Sequence, residues 1–131
     1  MANEAVSYEK PMKFARYTVA NGIGISKGTI LKLITPNTAT ACAADDDPVA
    51  GIAMMEKVAN DGSTEISAAL DGVWGLKVGT AAGFTVGYDV VIKGANQIGP
   101  YTTLDNEKGF VLGKALETVA SSAVAKIRLN I

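Results

Sequence analysis

Three strings and one scattered set of carboxylates in this chain carry residue types that could do chemistry, and each lacks something the chemistry requires. Ser7-Tyr8-Glu9-Lys10 has the Ser-x-x-Lys spacing of an activated serine, but it lies in a polar terminal stretch, and the Ser-Asp-Asn and Lys-Thr-Gly companions are missing. Gly22-Ile23-Gly24 followed by Gly28 approaches a dinucleotide-binding fingerprint. Its third glycine falls one place late, and no helical period follows to aim an N-terminus at a pyrophosphate, so a hairpin loop is the better reading. Asp45, Asp46 and Asp47 could offer oxygens to calcium, yet Pro48 ends the run and the alternate-residue ligand spacing and distal Glu are lacking, which leaves an acidic solvent loop. Glu56, Glu65, Asp89 and Glu117 could pair as acid and base, but nothing in the sequence draws any two together.

What is missing narrows the chemistry further. The chain has no histidine, which removes the commonest general base and transition-metal ligand. Its one cysteine, Cys42, excludes an internal disulfide and a Cys-rich metal site, and in its Ala-Thr setting reads as a small buried filler. No catalytic residue, metal ligand or cofactor is assigned, and no enzyme is expected. A formal net charge of -1, from 12 Lys and Arg against 13 Asp and Glu, offers no basic face to neutralise phosphates, so direct nucleic-acid binding is not expected. No window approaches the ~20 apolar residues of a membrane span and no secretory leader opens the chain, which reads as synthesis in the cytoplasm and no membrane partner.

The elements that must position any site are read as strands. With 131 residues and 48 % hydrophobic residues the chain suits one domain. Short runs rich in Val, Ile and Thr predict strands over residues 15–19, 29–34, 49–57, 63–69, 73–78, 89–93, 110–118 and 123–130. Asn21-Gly22, Asp61-Gly62 and Asp71-Gly72 read as tight turns, since Asn or Asp before Gly tolerates positive φ. The last strand is the clearest, with Ala125, Ile127, Leu129 and Ile131 alternating with Val124, Lys126, Arg128 and Asn130. Residues 39–44 and 112–120 favour helix, leaving room for one short helix. Residues 1–13 show no period and read as an N-terminal arm, either frayed or ordered on a partner, ahead of a β-rich domain over 14–131.

Two segments look alike. PVAGIAMMEKV around Gly51 and FVLGKALETV around Gly113 share an apolar, Gly, any residue, Ala order about sixty residues apart, and each follows a Gly-led strand, which makes an internal duplication a live reading beside chance similarity. A Gly two places before an Ala on a strand lets another backbone approach closely. Close approaches are therefore expected at Gly51 with Ala53 and at Gly113 with Ala115, and Trp74, the single tryptophan, reads as a packing anchor in the core or at a subunit contact.

The pieces KGTILKL, VAGIA, LDGVWGLKV, VGYDVVIKG, GFVLGKALE and the terminal AKIRLNI stand in an order that resembles the decoration, or cement, proteins that bind the outside of tailed-phage capsids. They span roughly four fifths of the chain. Gly87-Tyr88-Asp89 has one residue more than the Gly-Asp usual in that family, which reads as a bulge. The resemblance implies a compact antiparallel β-barrel or tulip-like fold, a homotrimer on three-fold and quasi-three-fold positions of the shell, and an arm reaching the major capsid protein. On that reading Tyr8, Pro11, Met12 and Phe14 face the capsid, Trp74, Gly51, Ala53, Gly113 and Ala115 lie at the trimer contacts, and the protein resides on the outer surface of a virion. The alternative from another class is a small carbohydrate or cell-surface binding module, which aromatics at 6 % of residues do little to support.

Overall fold

A computed structural model of the chain describes residues 4–44, 47–79, 83, 85–101 and 111–131, and across these it is built from strands, with no helix among the described residues. Strands β2 (Phe14–Thr18), β3 (Ile30–Thr35), β4 (Thr38–Ala41), β5 (Val49–Ala53) and β6 (Glu65–Ala69) close a barrel in the order β2-β4-β3-β5-β6. A second sheet runs β1 (Val6–Glu9), β7 (Asp71–Lys77), β11 (Val124–Asn130), β10 (Val111–Ala115), β8 (Asp89–Ile92) and β9 (Ile98–Pro100). The fold is thus mainly β, as expected, and nearly all pairings are antiparallel, as turns of Asn and Gly between short runs require.

Side-chain alternation decides which face each strand buries. On β11, Ala125, Ile127 and Leu129 are buried while Val124, Lys126, Arg128 and Asn130 are exposed. Strand β5, VAGIA, is buried throughout, because its two faces meet two different cores. Val49 and Ile52 join the large cluster that includes Trp74, Leu76, Leu112, Ile127 and Leu129 of the second sheet. Ala50 and Ala53 face the smaller core inside the barrel, with Val19, Leu31 and Ile66. β5, with the Ile30-Leu31 start of β3, is therefore a wall shared by two cores, which is why those residues are apolar without alternation, while the rest of β3 runs out to solvent.

The suspected duplication is written in the pairing. Between β2 and β6, Phe14 faces Ala69, Ala15 faces Ala68, Arg16 faces Ser67, Tyr17 faces Ile66 and Thr18 faces Glu65. Fifty-nine residues later the same register recurs between β7 and β11: Val73 with Arg128, Trp74 with Ile127, Gly75 with Lys126, Leu76 with Ala125 and Lys77 with Val124. Bulges recur too, with Ala50 skipped between Gly51 and Val49 opposite β3 and Leu112 skipped between Gly113 and Val111 opposite β8. So do left-handed residues, Asn37 and Asn96 at φ 56 and 54, Gly28 and Gly87 at φ 88 and 90. Thr18 meets Thr38 in a parallel step that helps close the barrel, and an isolated parallel bridge from Val78 to Ile98 echoes it in the second sheet.

Several local expectations are corrected. Residues 39–44 are not helical, since Thr38–Ala41 is a strand paired to β3 through a turn at Pro36-Asn37, with Asn37 supplying the positive φ. Residues 111–115 are likewise strand β10. Asp71-Gly72 is no hairpin turn but the start of β7, where the chain passes from barrel to second sheet. Gly72 keeps its positive φ there because a Cβ would lie 2.8 Å from the Glu9 carbonyl oxygen. Tyr88 adds no bulge: Gly87-Tyr88 repeats Gly28-Thr29, and the irregularity sits at Leu112. Strands β1, β4 and β9 were not anticipated, and Phe110, expected to open a strand, lies outside the described residues.

Candidate functional site

The N-terminal segment is fastened to the second sheet. Val6 pairs with Gly75, Ser7 with Trp74 and Glu9 with Val73, across a bulge. The Tyr8 ring lies against Gly75, where a Cβ would come within 2.8 Å of it, and the Lys126 ammonium stands 4.8 Å above the ring centroid. Arg128 reaches both carboxylate oxygens of Glu9 at 3.4 Å, an exposed pair that orients more than it stabilises. Pro11, buried, then turns the chain, and the Asp71 carboxylate accepts hydrogen bonds from the amides of Met12 (2.7 Å) and Lys13 (2.9 Å). The Lys13 amide, chiefly, together with that of Met12 and the Lys13 charge, outweighs desolvation and holds the Asp71 carboxyl below its ordinary value.

Of the residues expected to face a capsid, this arrangement presents three. Tyr8 is 54 % exposed, Met12 80 % and Phe14 53 %, one large apolar side chain at each step of the turn from β1 into β2. Pro11 is buried at the corner of that turn. A shallow cleft of about 290 Å³ lies beside them, lined by Glu9, Lys10, Met12, Asp71, Gly72, Arg128, Leu129 and Asn130.

The residues expected between subunits are occupied inside the chain. Trp74 is 2 % exposed, belongs to the large core, and its indole N–H donates to the Asp71 carbonyl at 3.0 Å. Ala53 and Ala115 are buried, and Gly51 and Gly113 serve close approach within the chain. A Cβ on Gly51 would meet the Ala69 carbonyl oxygen at 2.7 Å, and one on Gly113 the Arg128 carbonyl oxygen at 1.9 Å. The Gly-x-Ala order does mark a close backbone approach, but between β5 and β6 and between β10 and β11 of one chain.

The motif strings have structural uses. In the Gly22-Ile23-Gly24 loop the buried Lys57 ammonium donates to the carbonyl oxygens of Asn21 (3.1 Å) and Ile23 (2.8 Å). Carbonyls converging on a cation have the opposite polarity to the amide cradle a phosphate needs. Ser7 lies on exposed β1, its hydroxyl donating to the Glu9 carbonyl at 3.3 Å. Asp45 and Asp46 lie outside the described residues. Asp47 binds the amides of Ala43 (2.8 Å) and Ala44 (2.9 Å) and pairs with Lys32 at 3.5 Å. Burial alone would raise its pKa, but those partners hold it below the ordinary value. Asp89 and Glu117 also have local partners, the Lys114 ammonium at 2.9 Å and the Lys126 amide at 2.9 Å. Among the described residues no three of His, Cys, Asp and Glu gather as a metal site requires.

Sequence reasoning missed Asn96 and the way it uses Cys42. Asn96, buried in a left-handed turn, accepts from the Ile30 amide at 2.7 Å through its side-chain oxygen, while its own amide donates to Cys42 Sγ at 3.3 Å. These bonds tie the barrel to the second sheet. Burial is the main reason that the Cys42 thiol is pushed up from its ordinary value, consistent with a filler and not a nucleophile.

No protein-family model matches this chain, and no curated protein matches it. Among solved structures it is similar to the N base of the head fiber gp8.5 of bacteriophage phi29. The match has 12 % identity, covers 90 % of this chain and 95 % of that one, and gives a TM-score of 0.57. The two share a fold across nearly their whole lengths.

Proposed function

We propose that this protein is a structural component of a tailed-phage virion that binds the outer surface of the capsid shell and stabilises it. The observation that carries this reading is the likeness in fold, over 90 % of the chain, to the base of a phage head fiber. The order of sequence segments resembling capsid decoration proteins supports it independently. The partner is the major capsid protein, and the assembly a homotrimer on three-fold and quasi-three-fold positions. With Trp74, Gly51, Ala53, Gly113 and Ala115 taken up inside the chain, its subunit contacts fall to exposed side chains.

The mechanism is binding free energy alone. A protein that binds the expanded shell, and not its separated subunits, stabilises the shell by about 2.7 kcal/mol per site at a hundredfold excess over Kd. Tyr8, Met12 and Phe14 are the apolar anchors, held in place by β1 and by Asp71. The test is co-sedimentation with undecorated expanded shells. Replacing Tyr8 and Met12 together by alanine should weaken binding about tenfold or more, the scale of central apolar contacts. Unchanged occupancy by the double variant would remove these anchors from the account.

A further inference from the structure

The internal repeat exposes an unfilled position. Val19 and Leu70 take their bonds across β2 and β6 so that Ala15 and Tyr17 point their main-chain groups at β6, leaving those of Phe14, Arg16 and Thr18 on the other edge. Thr18 donates there to the Asn37 carbonyl at 2.8 Å. Phe14 and Arg16 have no strand on that edge among the described residues. Their counterparts fifty-nine residues on, Val73 and Gly75, face the edge where β1 is paired. The same backbone path thus holds an antiparallel strand in one half and, among the described residues, none in the other.

We infer that the open edge of β2 at Phe14 and Arg16 accepts an extended, acidic segment of another protein, running antiparallel to β2. A strand like the chain's own arm does not fit there. Arg16 stands where Gly75 makes room for Tyr8, Ser67 where Lys126 covers that ring, and Ala69 where Arg128 binds Glu9. A second copy of β2 is disfavoured by charge. Lys10, Lys13 and Arg16 are exposed along this stretch, and two such stretches side by side would interleave six cations. Among the described residues the carboxylates near them are Glu65, 3.7 Å from Arg16, Asp71, which is turned to main-chain amides, and Glu9, which is engaged by Arg128. Charge therefore selects carboxylates on the incoming strand, and Phe14 selects an apolar neighbour. Resting on the function proposed above, the segment belongs to the shell subunit.

Two measurements test this. Amide exchange of the parent protein is followed by NMR with a millimolar octapeptide of alternating Val and Glu, and with its Val and Lys counterpart. The acidic peptide should slow exchange at Phe14 and Arg16 several-fold, and the basic one should leave it unchanged. Arg16→Pro removes an N–H that meets no acceptor among the described residues, and proline is tolerated on an edge strand. That variant should melt within a few degrees of the parent yet bind undecorated shells at least tenfold more weakly. No protection by the acidic peptide, equal protection by the basic one, or full shell binding by Arg16→Pro would overturn the inference. Protection by the acidic peptide in a parent protein that ignores shells would sink the capsid reading and leave the acidic-strand edge in place with another protein as its source.

Discussion

The ring of Tyr8 lies where a Cβ on Gly75 would stand, its nearest carbon 2.8 Å from that position. The glycine is what lets β1 lie flat on β7 with its tyrosine packed over the seam. In Gly75→Ala the exposed ring must swing away, taking the Lys126 contact with it. Amide exchange of Val6 to Glu9 should accelerate about tenfold, while the global melting temperature moves little, since β1 is exposed along its length. Equal exchange rates in the variant would mean that β1 is not held through Tyr8.

Gly113→Ala should behave quite differently. Its Cβ would fall 1.9 Å from the Arg128 carbonyl oxygen, a main-chain atom in the central β10 and β11 pairing that cannot swing aside. A loss of about 3 kcal/mol or more in chemical denaturation is the expected scale for such overpacking. Gly62→Ala, with nothing within 4 Å but φ at +89°, isolates backbone strain and should cost only about 1 kcal/mol.

The anchoring of the arm should depend on acid. The folded-state pKa of Asp71 is depressed below its ordinary 3.8, first by the Lys13 amide. Its contribution is therefore present above pH 3.8 and is lost as pH falls through the lower folded value. NMR signals of the Met12 and Lys13 amides should shift together in that window, and Asp71→Asn should abolish the shift at unchanged fold. Titration of those amides near neutral pH would contradict the assignment.

Cys42 should be silent in the native protein. Buried, with its pKa raised chiefly by desolvation, it should react with a disulfide reagent at pH 8 at least a hundredfold more slowly than in denaturant. Comparable rates would show that the latch around Asn96 opens freely.

How far these features were legible depends on what each residue reports. β11 could be read directly because Ala125, Ile127 and Leu129 alternate with polar neighbours, a pattern set by one wet face. β4 could not, since Thr38 to Ala41 is short and its small residues carry helix and strand preferences alike. Asp71-Gly72 has the composition of a turn, but its positive φ answers the crowding of Glu9, a partner sixty residues away that no local pattern reveals. Gly51 and Gly113 announced the repeat. The register that proves it runs through Phe14 and Val73, whose side chains have nothing in common. Trp74 was expected in the core or at a subunit contact, and composition could not choose; its neighbours Leu76, Ile127 and Leu129 place it in the core.

The central claim is tested most directly by sedimenting the purified protein with undecorated expanded phage shells while measuring its own mass in solution. The account predicts saturable pelleting at a fixed ratio to the major capsid protein, with three chains for each occupied site. A protein that stays in the supernatant at every concentration, with shells intact and its fold confirmed, would contradict it.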